Sequence, residues 1–306
     1  MTNREKIHSK AMHAWFPAVP RHVRTALALC GNTASGAESI AGAILLDFAM
    51  TTHVLRLVGT SYFASRGQQT AITSVRHAVV CIGLDQLVAL LSQIPLLSPR
   101  SSLRHATPFL AILGHSQCCA SICRELSHCA EIEGDHLVLC AMLYRLGEAL
   151  ISTVKPDAAR ILLRIPATKV RKRDKIARLL TGWKPFELGK NVARIWNLPS
   201  PIQRCTSLGP ERLDDMPRQD RRTIGTAIAV NMAVGSPTRR LAAKDRERIA
   251  KFLEIRETDV EKAFQRGLNG FMRDNPVLFQ ALERSGSVAQ GTNPLPQRNG
   301  AWPSLR

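Results

Sequence analysis

His115, Cys118, Cys119, Cys123, His128 and Cys129 crowd one segment of the chain. Imidazoles and thiolates are the ordinary ligands of zinc, so a metal centre is the first chemistry to weigh. The spacing matches no zinc knuckle, and a single helix cannot aim so many side chains at one ion. Cysteine also packs as a small hydrophobe, and tight helix packing is the reading these residues favour. No metal and no cofactor are expected. Without an export signal, the eight cysteines of the chain read as reduced thiols and not as a disulfide framework.

Charge is the second resource. The formal net charge is +18, and its densest run is Lys169, Arg171, Lys172, Arg173, Lys175 and Arg178, preceded by Arg160 and Arg164. A second group comprises Arg239, Arg240, Lys244, Arg246, Arg248 and Lys251, in its later part mixed with acids. Such clusters attract phosphate backbones through counterion release, and they also serve as plain solvated helix faces. The run 169–178 is the candidate contact for phosphate or nucleic acid. Nucleophilic chemistry finds less support. No Ser, His and Asp stand in an elbow motif, no Walker-type loop occurs, and the glycines of 31–42 follow no strand.

The elements that would position these residues are helices. Leu139, Met142, Leu143, Leu146 and Leu150 recur at steps of three and four, the stripe of one continuous buried helix. The segment 111–129 repeats the pattern, with His115, Cys118, Cys119, Ile122 and Leu126 on a shared face. Upstream, Phe16-Pro17-Ala18-Val19-Pro20 is a turn that launches a helix over 21–30. A break at 31–36 offers Ser35 as the next cap. Two amphipathic segments follow, through Phe48 and through Val58, then a polar loop at 67–70. Ser74 caps a helix ending at Gly83, and Asp85 sits in the first turn of the next, where its charge favours the helix dipole. Nothing alternates with period two for long, so the fold class is all-α.

Beyond Asp215 the pattern predicts helices over 221–234 and 241–253, with a break at 235–238. Thr258-Asp259-Val260-Glu261 reads as a capping box, followed by a stripe of Val260, Ala263, Phe264, Gly267, Leu268 and Phe271. The segment 249–260 also resembles a helix-turn-helix, with Glu254 where the turn usually wants glycine. Its second helix opens with Glu257, Asp259 and Glu261, which would repel phosphates, so packing is the better account. From Ser285 onward, glycines and prolines mark a disordered tail, with Trp302 as a docking anchor. The most apolar stretch, 78–97, contains Asp85 and Pro95, so no bilayer span and no membrane association are expected. The start, 1–10, lacks an apolar signal region, and the cytoplasm is the expected compartment.

Several segments carry a resemblance to a known family. Leu143-Tyr144-Arg145-Leu146-Gly147 resembles the metal-binding helix of the HD phosphohydrolase superfamily, which normally reads leucine, histidine, aspartate, isoleucine, glycine. His115-Ser116 is similar to the earlier lone histidine of that metal set. The opening turn at 16–20, Leu45-Leu46-Asp47, Leu55-Arg56-Leu57-Val58, Ser61-Tyr62-Phe63 and the run from Ile72 to Leu87 resemble the HDOD (HD-related output domain) family. So do Phe186-Glu187-Leu188-Gly189 and Trp196-Asn197-Leu198-Pro199, the last matching a close of tryptophan, glycine or asparagine, leucine, proline. The resemblance implies an HDOD-type helical domain over 14–215, a C-terminal helical extension over 216–284 and the tail over 285–306.

It also implies a bacterial signalling protein, and the departures within it bear on mechanism. In catalytic HD enzymes the dyad holds a divalent ion. Here the dyad is Tyr144-Arg145. A neutral phenol is a poor ligand and a guanidinium is none. His115, Tyr144, Arg145 and Glu148 are therefore the degenerate site positions, with no catalytic residue and no enzyme activity expected. A buried arginine needs a carboxylate, and Glu148, three residues on, is the candidate partner. The leading expectation is a non-catalytic regulator working through protein or ligand binding, with a signalling protein as the expected partner. A nucleic-acid-associated regulator using its basic surface, and a residual metal-dependent phosphohydrolase, are the alternatives.

Overall fold

One long helix forms the spine, and helices from both halves of the chain pack against it. The computed structural model describes residues 2–59, 74–97, 107–132, 134–165, 169–213, 216–234 and 241–290. Within them the chain is helical, and the only extended pairing is a single bridge between Ala18 and Leu96. In chain order the first helices are α1 (Asn3–Met12), α2 (Pro20–Cys30), α3 (Ala37–Ile44), α4 (Phe48–Val58), α5 (Val75–Ile82) and α6 (Leu84–Gln93). The spine is α7 (Thr107–Cys129), followed by α8 (Gly134–Leu143), α9 (Leu146–Val154), α10 (Pro156–Leu163), α11 (Val170–Thr181), α12 (Pro185–Ile195) and α13 (Ser200–Cys205). A short turn at Arg218–Asp220 and a π turn at Arg221–Gly225 lead into α14 (Thr226–Ala233), then α15 (Ala243–Leu253), α16 (Glu257–Asp274) and α17 (Pro276–Gln290). The expectations for Ser61-Tyr62-Phe63, the loop 67–70, Ile72-Thr73, the break 235–238, Arg239, Arg240 and the tail beyond Gln290 with Trp302 lie outside the described residues.

The first helices are held to one another by the motif that opens them. Asp47 caps α4 by accepting from the backbone N–H of Ala49 and Met50, and its other oxygen accepts from Val19 N at 2.9 Å. One buried carboxylate thus fixes both a helix start and the turn at 16–20. Phe16, fully buried, meets Phe48 edge-on at 5.1 Å and has its N–H on His53 Nε2 at 3.2 Å. The caps read from Ser74 and the helix end at Gly83, with φ +78°, are both present. Asp85 lies in the first turn of α6.

Four sequence expectations need correction. The continuous helix over 139–150 is broken at Tyr144-Arg145, between α8 and α9. Ser35 does not cap α3, because Gly36 holds that position and makes no side-chain bond. Thr258 does not open a capping box. The helix α16 starts two residues earlier, behind Arg256, and its acidic first turn meets the dipole instead. Residues 285–290, read as disordered tail, continue α17, which Pro276 starts and which Leu278, Ala281 and Leu282 anchor in the core. Among the described residues the run Gly134–Val154 is long and apolar enough to cross a membrane by length and composition, but most of it is buried inside the protein. A further helix, α1, was hidden by its charges. It is held by a capping box between Thr2 and Glu5 and by two tryptophans, whose Nε1 groups donate to Arg4 O (Trp183, 3.0 Å) and Met12 O (Trp196, 3.2 Å).

The C-terminal helices belong to the same core. The α16 stripe predicted from spacing, Val260, Ala263, Phe264, Gly267, Leu268 and Phe271, is buried, and it lies against α7. A Cβ on Gly267 would come within 2.4 Å of Ile122 Cα, so the backbones of α16 and α7 touch there. The turn between α15 and α16 holds Glu254 at φ +59°, in the left-handed region where glycine is favoured. The acidic Glu257 in the first turn of α16 binds Arg246 at 2.8 Å.

Candidate functional site

The degenerate positions converge where α8 breaks into α9. Gly147, the second residue of α9, packs so closely on α12 that a Cβ there would lie 1.8 Å from Pro185 O. Only glycine allows this approach, which explains the glycine of the Leu-Tyr-Arg-Leu-Gly motif. Tyr144 and Arg145 form the turn before it, with Tyr144 N still bonded to Cys140 O at 2.9 Å.

The side chains at the break form one ionic cluster. Arg145 Nη2 donates to Glu148 Oε2, the pairing expected from their spacing. Arg173 Nη2 donates to the same oxygen at 2.8 Å. All three side chains are largely withdrawn from water, at 11%, 13% and 7% exposure for Arg145, Glu148 and Arg173. Burial alone would raise the Glu148 carboxyl, but the two guanidiniums outweigh it and hold its pKa at about 2. The carboxylate is therefore ionised throughout the physiological range.

Arg173 corrects the reading of the basic run. Its Nη1 donates to Leu162 O at 3.1 Å and to Ile165 O at 2.7 Å, the carbonyls that end α10. There the cation satisfies orphan acceptors and the negative end of the helix dipole. It is a buried clamp joining α9, α10 and α11, and not a surface contact for phosphate. The rest of the run, Lys169, Arg171, Lys172, Lys175 and Arg178, is exposed, with Arg178 paired to Glu187 at 2.5 Å. A signal for Arg173 was present in the sequence. Ala177 and Thr181, four and eight residues on, are small and share its buried face.

His115 is buried on α7 beside the cluster. Burial first, and the positive charge of Arg145 second, push its pKa down to about 3, against weaker opposition from Glu148 and Asn231. The ring is neutral, and its Nε2 has no hydrogen-bond partner among the described residues. Nearby thiols behave as core. Cys118, Cys119 and Cys123 are fully buried, and burial pushes the Cys118 thiol up to about 12. All eight cysteines are free. Among the described residues no group of three or more His, Cys, Asp or Glu is arranged to hold a metal ion. The residues at the dyad position, a phenol and a guanidinium already bonded to a carboxylate, do not fit one either.

A small cleft opens beside the cluster. Tyr144, Arg145, Glu148, Arg173, Asp174 and Asn231 line it together with apolar side chains such as Phe186, and about 40 Å³ of it is open to water. That is room for about three waters. Asn231, which periodicity had not marked, was a lone amide within the apolar run 227–233. Its Nδ2 donates to Ala141 O at 3.0 Å and Ala227 O at 2.9 Å, which fixes the amide with Oδ1 as acceptor. That oxygen and the Tyr144 hydroxyl are both buried without a partner among the described residues.

The motif Trp196-Asn197-Leu198-Pro199 finds its physical reason at the end of α12. Asn197 sits at φ +51°, a conformation that glycine and asparagine tolerate best. Trp196 beside it carries the bond to Met12 and faces the Arg56 guanidinium at 5.0 Å.

Comparison with known proteins agrees with this architecture. The response regulator MmoQ of Methylococcus capsulatus has a similar fold, with a TM-score of 0.60 at 16% sequence identity, covering 83% of this chain and 99% of its own. A virulence factor of Campylobacter jejuni gives a TM-score of 0.59 at 16% identity, covering 92% and 98%. At such identities the likeness speaks for the fold alone. No curated protein matches the chain. The model of the HDOD domain matches residues 16–208, nearly from the buried Phe16 to the end of α13 and its following turn. The chain belongs to the HDOD family.

Proposed function

We propose that this HDOD protein is a catalytically silent regulator that works by binding a protein partner in a bacterial signal-transduction pathway, in the cytoplasm. The observation that carries this reading is the Arg145–Glu148–Arg173 cluster. Where an HD hydrolase needs ligands for a cation, this chain carries two cations of its own, locked on a buried carboxylate. A divalent ion there would face their repulsion and find no set of neutral imidazoles and carboxylates to hold it. Elemental analysis of the purified chain should show no stoichiometric divalent metal. Phosphodiesters supplied with magnesium or manganese should be hydrolysed no faster than by the Arg145→Ala variant. Stoichiometric metal together with turnover would overturn the reading and restore a phosphohydrolase.

The exposed remainder of α11 supports a second reading, association with nucleic acid. Lys169, Arg171, Lys172 and Lys175 present cations to solvent along one short helix, and phosphate contacts of this kind release counterions. Capture from native lysate with and without nuclease separates the two. A protein partner that survives nuclease supports the leading reading. Partners lost to nuclease, with binding that collapses as salt rises, support the second.

A further inference from the structure

The groove between the π turn and α15 is lined by more positive charge than negative. About 340 Å³ in volume, it has Lys244, Glu247, Arg248 and Lys251 of α15 along one side. The three cations follow at steps of four and three, so they share a helix face. Arg221 adds a fourth cation from the first position of the π turn. Its Nε donates to Met216 O at 2.8 Å, and its terminal nitrogens make no further bond among the described residues. Arg248 is already engaged. With Arg248 set aside, the lining still holds three cations to one carboxylate. The floor is apolar. Leu213 and Phe252 line it and are buried, and a Cβ on Gly225 would come within 3.2 Å of the Phe252 ring, so the π turn closes tightly on that ring. Lys244, Glu247 and Lys251 are exposed and form the rim.

We propose that this groove docks an acidic, extended segment of a partner protein that carries an apolar side chain at alternate positions. From Lys244 to Lys251 the helix face runs about 10 Å, at about 1.5 Å per residue, the length of about three extended residues. Alternate side chains of an extended chain point to opposite faces. One set enters the apolar floor, and the other turns back to the cations, whose long stems reach over the rim. Glu247 sets the choice between a peptide and a nucleic-acid backbone. It lies one helical turn from both Lys244 and Lys251, and its carboxylate accepts and cannot donate. A peptide meets it with backbone N–H groups, whereas a phosphodiester has no donor to offer. The groove is also built beyond residue 208, where the family match ends, so it belongs to the C-terminal helices and not to the ionic cluster at the α8–α9 break.

This assignment rests on the chain working through a protein partner, and it fails separately from that reading. The probe is a fluorescent synthetic peptide of alternating aspartate and leucine, about seven residues long so as to overrun the groove. Titrated with the full chain and followed by anisotropy, it should bind at one site per chain and more weakly as salt rises. With lysine in place of aspartate it should not bind. With serine in place of leucine it should bind about tenfold more weakly or worse, for want of apolar burial. Lys244→Glu combined with Lys251→Glu should weaken the aspartate peptide by about tenfold or more, because like charges then face each other. Lys6→Glu combined with Lys190→Glu changes the net charge equally at exposed lysines elsewhere and should leave the affinity unchanged. All four lysines are exposed, so both variants should melt with the parent. An aspartate peptide that binds no more tightly than the lysine peptide overturns the proposal. Equal losses in the two variants also overturn it, since net charge alone would then explain the binding. An oligothymidylate of matched charge that binds more tightly than the peptide, and is lost in the Lys244→Glu, Lys251→Glu variant, would give the groove to nucleic acid instead. A native partner that survives nuclease but binds this variant as tightly as the parent would keep the regulator reading and end this one.

Discussion

Glu148 is the residue on which the site turns. Glu148→Gln leaves two buried guanidiniums facing a neutral amide, and breaking a buried ion pair from one side costs about 3–5 kcal/mol. Arg173→Met should cost a similar amount, because it also strips the α10 carbonyls of Leu162 and Ile165 of their donor. Urea unfolding of both variants checks this, and a loss below about 1 kcal/mol, the net worth of an ordinary hydrogen bond, would show the cluster to be ornamental. Half of this cluster was legible in advance. Arg145 and Glu148 lie three apart on one chain segment, so their pairing followed from spacing. The reach of Arg173 from another helix did not, because a basic run looks alike whether one member points inward or none does.

The buried histidines make the stability of the protein depend on pH. His115 titrates in the folded state at about 3 and His53 at about 4, both lowered from 6.5, in each case chiefly by burial. Below pH 6.5 the unfolded chain takes up protons that the folded one refuses. Stability is therefore complete above about pH 6.5 and falls as pH drops toward 4, by about 1.4 kcal/mol per pH unit for each histidine. Glu148 acts later. Its folded pKa of about 2 against 4.5 keeps its contribution whole above pH 4.5 and loses it as pH falls through 2. Urea midpoints between pH 7 and pH 4 test this, with His53→Gln expected to halve the slope. A flat profile would mean that the rings are solvated.

At the scale of elements, close backbone approach decides where helices can lie. Gly147 meets Pro185 O, and Gly267 meets the backbone at Ile122. Alanine at either place needs the helices to part, a shift that overpacked sites resist at about 1–3 kcal/mol. Thermal melts of Gly147→Ala should show the loss, with the cleft at the α8–α9 break distorted as well, because α9 carries Glu148. Periodicity found most helices because their apolar stripes are strong, as in α16. It missed the break at Tyr144-Arg145, where the leucine stripe runs on unchanged. It also missed α1, whose buried residues are only Ile7 and Ala11 and whose anchors are tryptophans far along the chain.

At the scale of the molecule, the helices beyond 215 complete the core instead of decorating it. The family match ends at residue 208, but α7 is packed on one flank by α16 and α17. Five apolar side chains of α16 are buried there, Val260, Ala263, Phe264, Leu268 and Phe271, and burying each larger one contributes about 1.5–3 kcal/mol. Together they rival the whole stability of a typical domain, about 5–15 kcal/mol. A chain cut after Asp215 would also lose Asn231, and with it one wall of the cleft. Such a fragment should be aggregated or should lack a cooperative melt, with exposed apolar surface that binds a hydrophobic dye, whereas a chain cut after Gln290 should melt like the parent. Gel filtration and circular dichroism on the two fragments decide the matter. A monomeric, cooperatively folded 1–215 fragment would mean that the HDOD region stands alone and that the C-terminal helices are a separable partner of the spine.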